Sequence, residues 1–198
     1  MAMYEIADTG RHDMGCGMKA TANIPAGTRI LAETPLFITN YAFLQQPPTG
    51  DREDNLARQL TVFLNKAERD SFLALTNNNA TFFDKDRDEW VDAIFTGVIL
   101  TNVIPLQLSQ DREQNNRLGV FAKLSRVNHD CRPNAQQTWN VDLQQETLHA
   151  LHNISPGEEI TISYKPTVQA GWLEEIFGFQ CVFTHLSCFD RLLIFGAF

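Results

Sequence analysis

The sequence predicts an α+β domain with short strands at both ends of the chain and a helical insert between them. Strand-like phrases rich in β-branched and alternating residues, YEIADT, RILAE and EITISY, fall in the first and last thirds. Apolar residues at helical spacing occupy the middle. No linker-like stretch separates these parts, so one domain is expected from 198 residues.

Taken in order, YEIADT reads as the first strand, and GRHDMGCGMKA is a Gly-punctuated loop running into MKATA. NIPAGTRI offers a Pro-Ala-Gly turn followed by the strand RILAE, which Pro35 should end. QQPPTGD, residues 45–51, is a breaker. A helix is predicted from Asp51 through LTVFLNKAERDSFLAL, with Leu56, Leu60, Phe63 and Leu64 on one face. A second should run from a cap at Asp86, with Trp90, Ile94, Val98 and Val103 as its apolar residues, and end at Pro105. NAQQTWNVDL and ETLHALHNI read as a hairpin, SPGEE as a turn and EITISY as the next strand. NIPAGTRI and NISPGEEI are two similar turn-then-strand phrases, too few for a repeat array.

Composition narrows the function classes. Hydrophobic residues make up 43% and charged residues 20%, which places the chain among globular proteins. The net charge of −8, with no Lys/Arg cluster longer than a dipeptide, argues against a direct nucleic-acid binder. The first residues lack the long apolar region of a secretory signal, and no run approaches transmembrane length, so an intracellular protein with no membrane partner is expected. The four cysteines, Cys16, Cys131, Cys181 and Cys188, form no compact disulfide framework and read as reduced thiols.

The phrase SRVNHDCRPNAQ, residues 125–136, gathers Asn128, His129, Cys131 and Asn134. On its own it leaves a metal-ligand set, a Cys/His nucleophile pair and ordinary loop polar groups all open. Nothing supplies the separate base and orienting group a nucleophilic Cys needs. The C-x₂₋₄-C pairing usual for zinc is also missing. His12, His149, His152 and His185 show no ligand spacing. MGCGMKA lacks the third Gly of a dinucleotide fingerprint and the Gly-Lys-Ser/Thr of a phosphate loop. Taken singly, Glu158 and Glu159 read as turn residues, Tyr164 as a core or rim aromatic, and Phe177 and Phe179 as core.

In order, the phrases GCGMKA (15–20), NIPAGTRI (23–30), SRVNHDCRPNA (125–135), ALHNISPGEEITISY (150–164) and FGFQC (177–181) resemble a SET-domain protein-lysine methyltransferase. The arrangement is similar to the fungal-type branch related to MYND-associated SET proteins, without the MYND segment. The resemblance implies small β-sheets around a knot-like C-terminal crossing, with a SET domain over 1–181 and a helical insert at about 50–115. It implies S-adenosyl-L-methionine as cofactor and a protein partner with an accessible lysine, histone or non-histone. By resemblance, the backbone around Gly15, Cys16, Gly17 and Met18 approaches the cofactor, and Lys19 pairs with its carboxylate. Asn128 bonds its amino-acid part, while His129 meets the adenine mainly through backbone. Phe179 stacks on the adenine, and Tyr164 points its hydroxyl at the methyl-transfer centre. Ile162 stands where related enzymes often carry an aromatic.

The same resemblance implies a zinc set of Cys131 with three post-SET cysteines. Here only Cys131 and Cys181 remain in register; Phe183 and Leu186 occupy the other two positions, and Cys188 falls two residues late. A closed zinc site is therefore not expected. Residues 182–198 form an atypical tail, read as an unspliced intron or shifted frame beginning near Val182. From this follows the alternative of a catalytically weak or inactive SET-like binding module.

Overall fold

The computed structural model describes residues 2–10, 15–40, 62–77, 90–106 and 117–164. The described residues form ten strands and two α-helices, and the chain divides into two compact units. One comprises Met1–Leu31, Val127–Gln137 and Leu148–Phe198, and the other Ala32–Arg126 and Thr138–Thr147.

The first unit is built on a four-stranded sheet. β1 (Tyr4–Asp8) and β2 (Cys16–Ala20) pair antiparallel from Tyr4↔Ala20 to Asp8↔Cys16. Two strands from the far end of the chain complete it: β7 (Asn128–His129) and β10 (Glu159–Ile162), in the order β1-β2-β10-β7. β10 runs antiparallel to β2 but parallel to β7, with Thr161↔Asn128 and Ile162↔His129 opposite each other. Strand alternation gives the sheet a core-facing row, and Met18, Ile160 and Ile162 are all at most 1% exposed. Burying each such side chain is worth roughly 1.5–3 kcal/mol, which is what a two-stranded parallel contact needs beyond its hydrogen bonds.

The two similar phrases in this unit are structural counterparts. Ile24 and Ile154 form an isolated antiparallel bridge, each donating its N–H to the other's carbonyl at 2.9 Å. Each phrase then turns on a glycine in the left-handed region, Gly27 at φ 81° and Gly157 at φ 82°. Asn153 Oδ1 accepts the Ala26 N–H, and Glu158 Oε2 accepts the Ser155 N–H, so both turns are held by side chains.

The second unit contains β4 (Phe37–Asn40), β5 (Ile104–Pro105) and β6 (Arg117–Val120) as an antiparallel sheet ordered β4-β6-β5. With it lie α1 (Lys66–Leu73) and α2 (Trp90–Asn102). Leu64, Phe72, Leu75, Phe95, Val98, Ile99 and Val120 make its core, with the Phe72 and Phe95 rings 5.7 Å apart. The Glu33 carboxylate accepts the N–H groups of Lys123 and Leu124, the latter at 2.8 Å, and so caps the short 3₁₀ turn Leu124–Arg126. Burial pushes the Glu33 carboxyl above its ordinary range, while those donors pull it back. β3 (Arg29–Glu33), β9 (Gln145–Ala150) and β8 (Ala135–Asn140) form a third sheet, ordered β3-β9-β8, and the chain passes between units within each of these strands.

The strand predictions match, but the helices differ in detail. The helix expected from Asp51 to Leu75 is broken at Asn65. There the side chain accepts the Glu68 N–H at 3.0 Å, and Glu68 Oε2 accepts the Asn65 N–H at 2.8 Å, a capping box that starts a new helix. The buried face of α2 is Phe95, Val98, Ile99 and Asn102, whereas Ile94 is exposed, as is Phe63 before α1. His149 lies on β9 and His152 beyond its end. Leu56, Leu60, Asp86, Phe177, Phe179, Cys181, Cys188 and the C-terminal crossing lie outside the described residues. Among the described residues no helix is long and apolar enough to cross a membrane.

One buried acid is left without a partner. Glu146 on β9 is 2% exposed, and neither its Oε2 nor the indole Nε1 of Trp139 on β8 has a hydrogen-bond partner among the described residues. Burial pushes its carboxyl from 4.5 up to about 8. Between those values the folded protein keeps a proton that the unfolded chain releases, so its contribution to stability falls as pH rises. We expect Glu146→Gln to flatten the fall in stability between pH values of about 5 and 8, and to exceed the native chain at the upper end. Urea denaturation across that range checks it.

Candidate functional site

The parallel β7–β10 pairing gathers residues distant in sequence at one end of the first unit. Gly17, Asn128, Glu159 and Thr161 cluster on the face of the sheet opposite Met18, Ile160 and Ile162. A Cβ on Gly17 would lie 2.6 Å from Glu159 Oε1 and 2.7 Å from Asn128 Nδ2, so only glycine permits those side chains to pack over β2. Asn128, 8% exposed, donates from Nδ2 to Glu159 Oε1 at 2.8 Å. Gly15, at φ 57°, turns the chain into β2 with open space where a Cβ would stand. Cys16 beside it is exposed, Met18 is fully buried, and Lys19 Nζ donates to the Asp8 carbonyl at 2.7 Å.

Asn134 fastens the NHDCRPN phrase to β10. Its Nδ2 donates to the Glu159 carbonyl at 2.8 Å and to Glu158 Oε1 at 3.1 Å, while its Oδ1 accepts the Thr161 N–H at 2.9 Å. Its carbonyl also accepts the Leu151 N–H at 2.7 Å. Asp130 Oδ1 accepts the Arg132 N–H, closing the turn between β7 and Pro133.

His129 and Tyr164 lie on the opposite face of β7 from Asn128. The Tyr164 N–H donates to His129 Nδ1 at 3.1 Å, and the two rings lie 5.3 Å apart. An Nδ1 that accepts requires Nε2 to carry the proton, and Nε2 lies 3.3 Å from Cys131 Sγ. Both ring nitrogens are thus engaged within the protein. The Tyr164 hydroxyl donates to the Val127 carbonyl at 3.1 Å. Burial first, and the charge of Glu159 second, push this hydroxyl above its ordinary value of 10.0. It is a neutral, oriented group at physiological pH and not a phenolate base.

The structure therefore brings together Gly15, Cys16, Gly17, Met18, Lys19, Asn128, His129, Cys131 and Tyr164. Phe179 and Cys181 lie outside the described residues. Among the described residues no group of three His, Cys, Asp or Glu side chains is gathered for a metal, and the in-register cysteines supply only two of a zinc site's usual four ligands. Glu159 and Asn134 were missed as site residues. A polar residue at the start of a strand and an Asn after Pro carry no local signal of what a non-local strand will place beside them.

A small-sheet α+β fold, with an Asn-His strand laid parallel against a strand leading to a buried tyrosine, defines the class of protein. The SET domain family model matches residues 15–165, and the chain belongs to the SET-domain family. It is 32% identical over 182 residues to the histone-lysine N-methyltransferase set5 of Schizosaccharomyces pombe, covering 89% of this chain and 49% of that protein. It is 29% identical over 130 residues to a SET and MYND domain-containing protein of Dictyostelium discoideum, covering 59% of this chain and 36% of that one. The chain thus spans about half, or less, of the length of these relatives. The solved SET domain of LSMT, bound to lysine and AdoHcy, shares the fold at a TM-score of 0.56 and 12% identity, over 90% of this chain and 53% of that one.

The bonds of Asn134 make a stability prediction. Asn134→Ala strands the Thr161 N–H and the Glu159 carbonyl, and should cost about 1–3 kcal/mol, the half-buried setting allowing water to replace part of the loss. Asn134→Asp keeps the acceptor for Thr161 but turns a carboxylate oxygen, which cannot donate, toward the Glu159 carbonyl and the Glu158 carboxylate, and should cost at least as much at neutral pH. Chemical denaturation of both variants reads the difference.

Proposed function

We propose that this chain is the SET-domain part of a protein-lysine N-methyltransferase that uses S-adenosyl-L-methionine and methylates a lysine ε-amine of a protein substrate. The observation that supports the reading is the parallel β7–β10 pair, which sets Asn128 beside Gly17 and Glu159 on one face and His129 beside Tyr164 on the other. The relative named as a histone-lysine N-methyltransferase supports a catalytic role over a binding-only module. A histone or another lysine-bearing protein is the substrate class, and the net charge of −8 suits a basic one.

The residues fit the cofactor. Gly15 leaves open space at the turn into β2, and no described residue donates to Asn128 Oδ1. The backbone of Gly15, Cys16, Gly17 and Met18, with Lys19, Asn128, His129 and Phe179, would hold it. S-adenosylmethionine, when bound, supplies a methyl group already activated on a sulfonium. The protein's share is to orient and desolvate. Tyr164, whose hydroxyl is oriented by its bond to the Val127 carbonyl, would align the amine. The lysine must arrive neutral although its ordinary pKa is ~10.4, and an apolar channel beside a cation lowers that value. Neither His129, whose nitrogens are engaged, nor Tyr164 acts as general base.

We read residues 1–181 as the SET domain, with its helical insert at about 50–115 and the atypical tail at 182–198. The incomplete Cys131/Cys181 set contributes no step.

Methyl transfer from labelled S-adenosylmethionine to histones and other lysine proteins tests the reading. We expect transfer by the native chain and a fall of at least about a hundredfold in Tyr164→Phe, with S-adenosylhomocysteine affinity preserved, because the lost hydroxyl orients the amine and not the cofactor. Equal transfer by the variant would remove Tyr164 from the reaction. Cofactor binding with no transfer to any lysine protein would favour the binding module.

A further inference from the structure

Resting on the methyltransferase reading, we propose that Glu159 is a positioning residue that fixes which face of the Asn128 amide meets the cofactor. Glu159 opens β10 opposite Lys19, and its Oε1 accepts the Asn128 Nδ2 hydrogen at 2.8 Å. A carboxylate only accepts hydrogen bonds, so the amide must turn its NH₂ toward Glu159. Asn128 Oδ1 is then directed away from the carboxylate, and no described residue donates to it. At a residue only 8% exposed, an acceptor left this way suits a strong donor.

The donor this selects is an ammonium group. An amide oxygen beside a carboxylate offers one acceptor and a nearby negative charge, and both favour a cationic N–H donor. With the amide reversed, the NH₂ would meet the ammonium donor to donor. The α-ammonium of the cofactor's amino-acid part is the group of that chemistry. Gly17 is part of the same device. Its missing Cβ leaves room for Glu159 Oε1 and Asn128 Nδ2 to meet over β2. The charge of Glu159 also acts on Tyr164, where it favours the neutral hydroxyl, so one carboxylate serves both ends of the cluster.

Calorimetric titration with two probes separates the outcomes. S-adenosylhomocysteine carries the α-ammonium, whereas 5′-methylthioadenosine lacks the whole amino-acid part. We expect Glu159→Ala to weaken S-adenosylhomocysteine binding about tenfold, the size of one oriented hydrogen bond, and to leave 5′-methylthioadenosine binding unchanged. Glu159→Gln, whose amide oxygen still accepts from Asn128 but which lacks the charge, should weaken S-adenosylhomocysteine binding by clearly less than Glu159→Ala does and leave 5′-methylthioadenosine binding unchanged. The backbone carbonyl of Glu159 that Asn134 holds is present in every variant, so the strand keeps its anchor.

Unchanged S-adenosylhomocysteine affinity in Glu159→Ala overturns the proposal while leaving the methyltransferase reading intact. So does an equal loss for both probes, which would mark a general structural role, or a loss in Glu159→Gln as large as in Glu159→Ala. Failure of the native chain to bind S-adenosylhomocysteine overturns the methyltransferase reading and this inference together.

Discussion

The site depends on one contact, the parallel pairing of β7 with β10. Two residues of each strand meet, Asn128 with Thr161 and Ile162 with His129, although about thirty positions of chain lie between them. So short a ladder cannot hold itself against the entropy of closing that loop. It is held because Asn134 bonds to β10 at two points and to Glu158 just before it, because Tyr164 donates its N–H to His129, and because Met18, Ile160 and Ile162 are buried on the face behind. The polar face in front then consists of groups that local sequence would never place together.

This arrangement assigns different work to neighbouring residues. Asn128 and His129 are adjacent, and alternation along β7 sends their side chains to opposite faces. One side chain bonds Glu159, while the other is enclosed between Tyr164 and Cys131. The histidine is thus a structural strut linking β7 to the residue after β10. Its engaged nitrogens explain why a His-Cys pair at this spacing need not be a reaction centre. Tyr164 is constrained in the same way, with its N–H and O–H both donated within the unit. Chemistry at such a site rests on orientation and not on proton abstraction.

Much of this was legible in the chain. The strands YEIAD, RILAE and EITI fall where alternation and β-branching put them, and the phrases NIPAGTRI and NISPGEEI are paired turns bridged by Ile24 and Ile154. Gly17 and Asn128, joined in the sequence only by motif order, lie side by side in the fold, and Tyr164 lies against His129. The helical phases were legible in part: Leu64 and Val98 are buried as their spacing predicts, but Phe63 and Ile94 are exposed and Phe95 is buried instead, because tertiary neighbours decide which face of a helix is covered. Asn65 in an otherwise helical run was a readable cap, with Glu68 three residues on, but continuous apolar spacing masked it. Glu159 could not be read at all, since its role arises from strand pairing across the sheet and from the missing Cβ of Gly17.

The central claim is that these separate segments form one cofactor-responsive cluster. Titrating S-adenosylhomocysteine into isotope-labelled protein and following backbone amide resonances tests it most directly. The account predicts that the amides of Gly15 to Lys19, of Asn128 and His129, and of Tyr164 shift together along one saturable curve, with those of β4, β5 and β6 unmoved. Shifts confined to other segments, or separate curves for β2 and for β7, would contradict it.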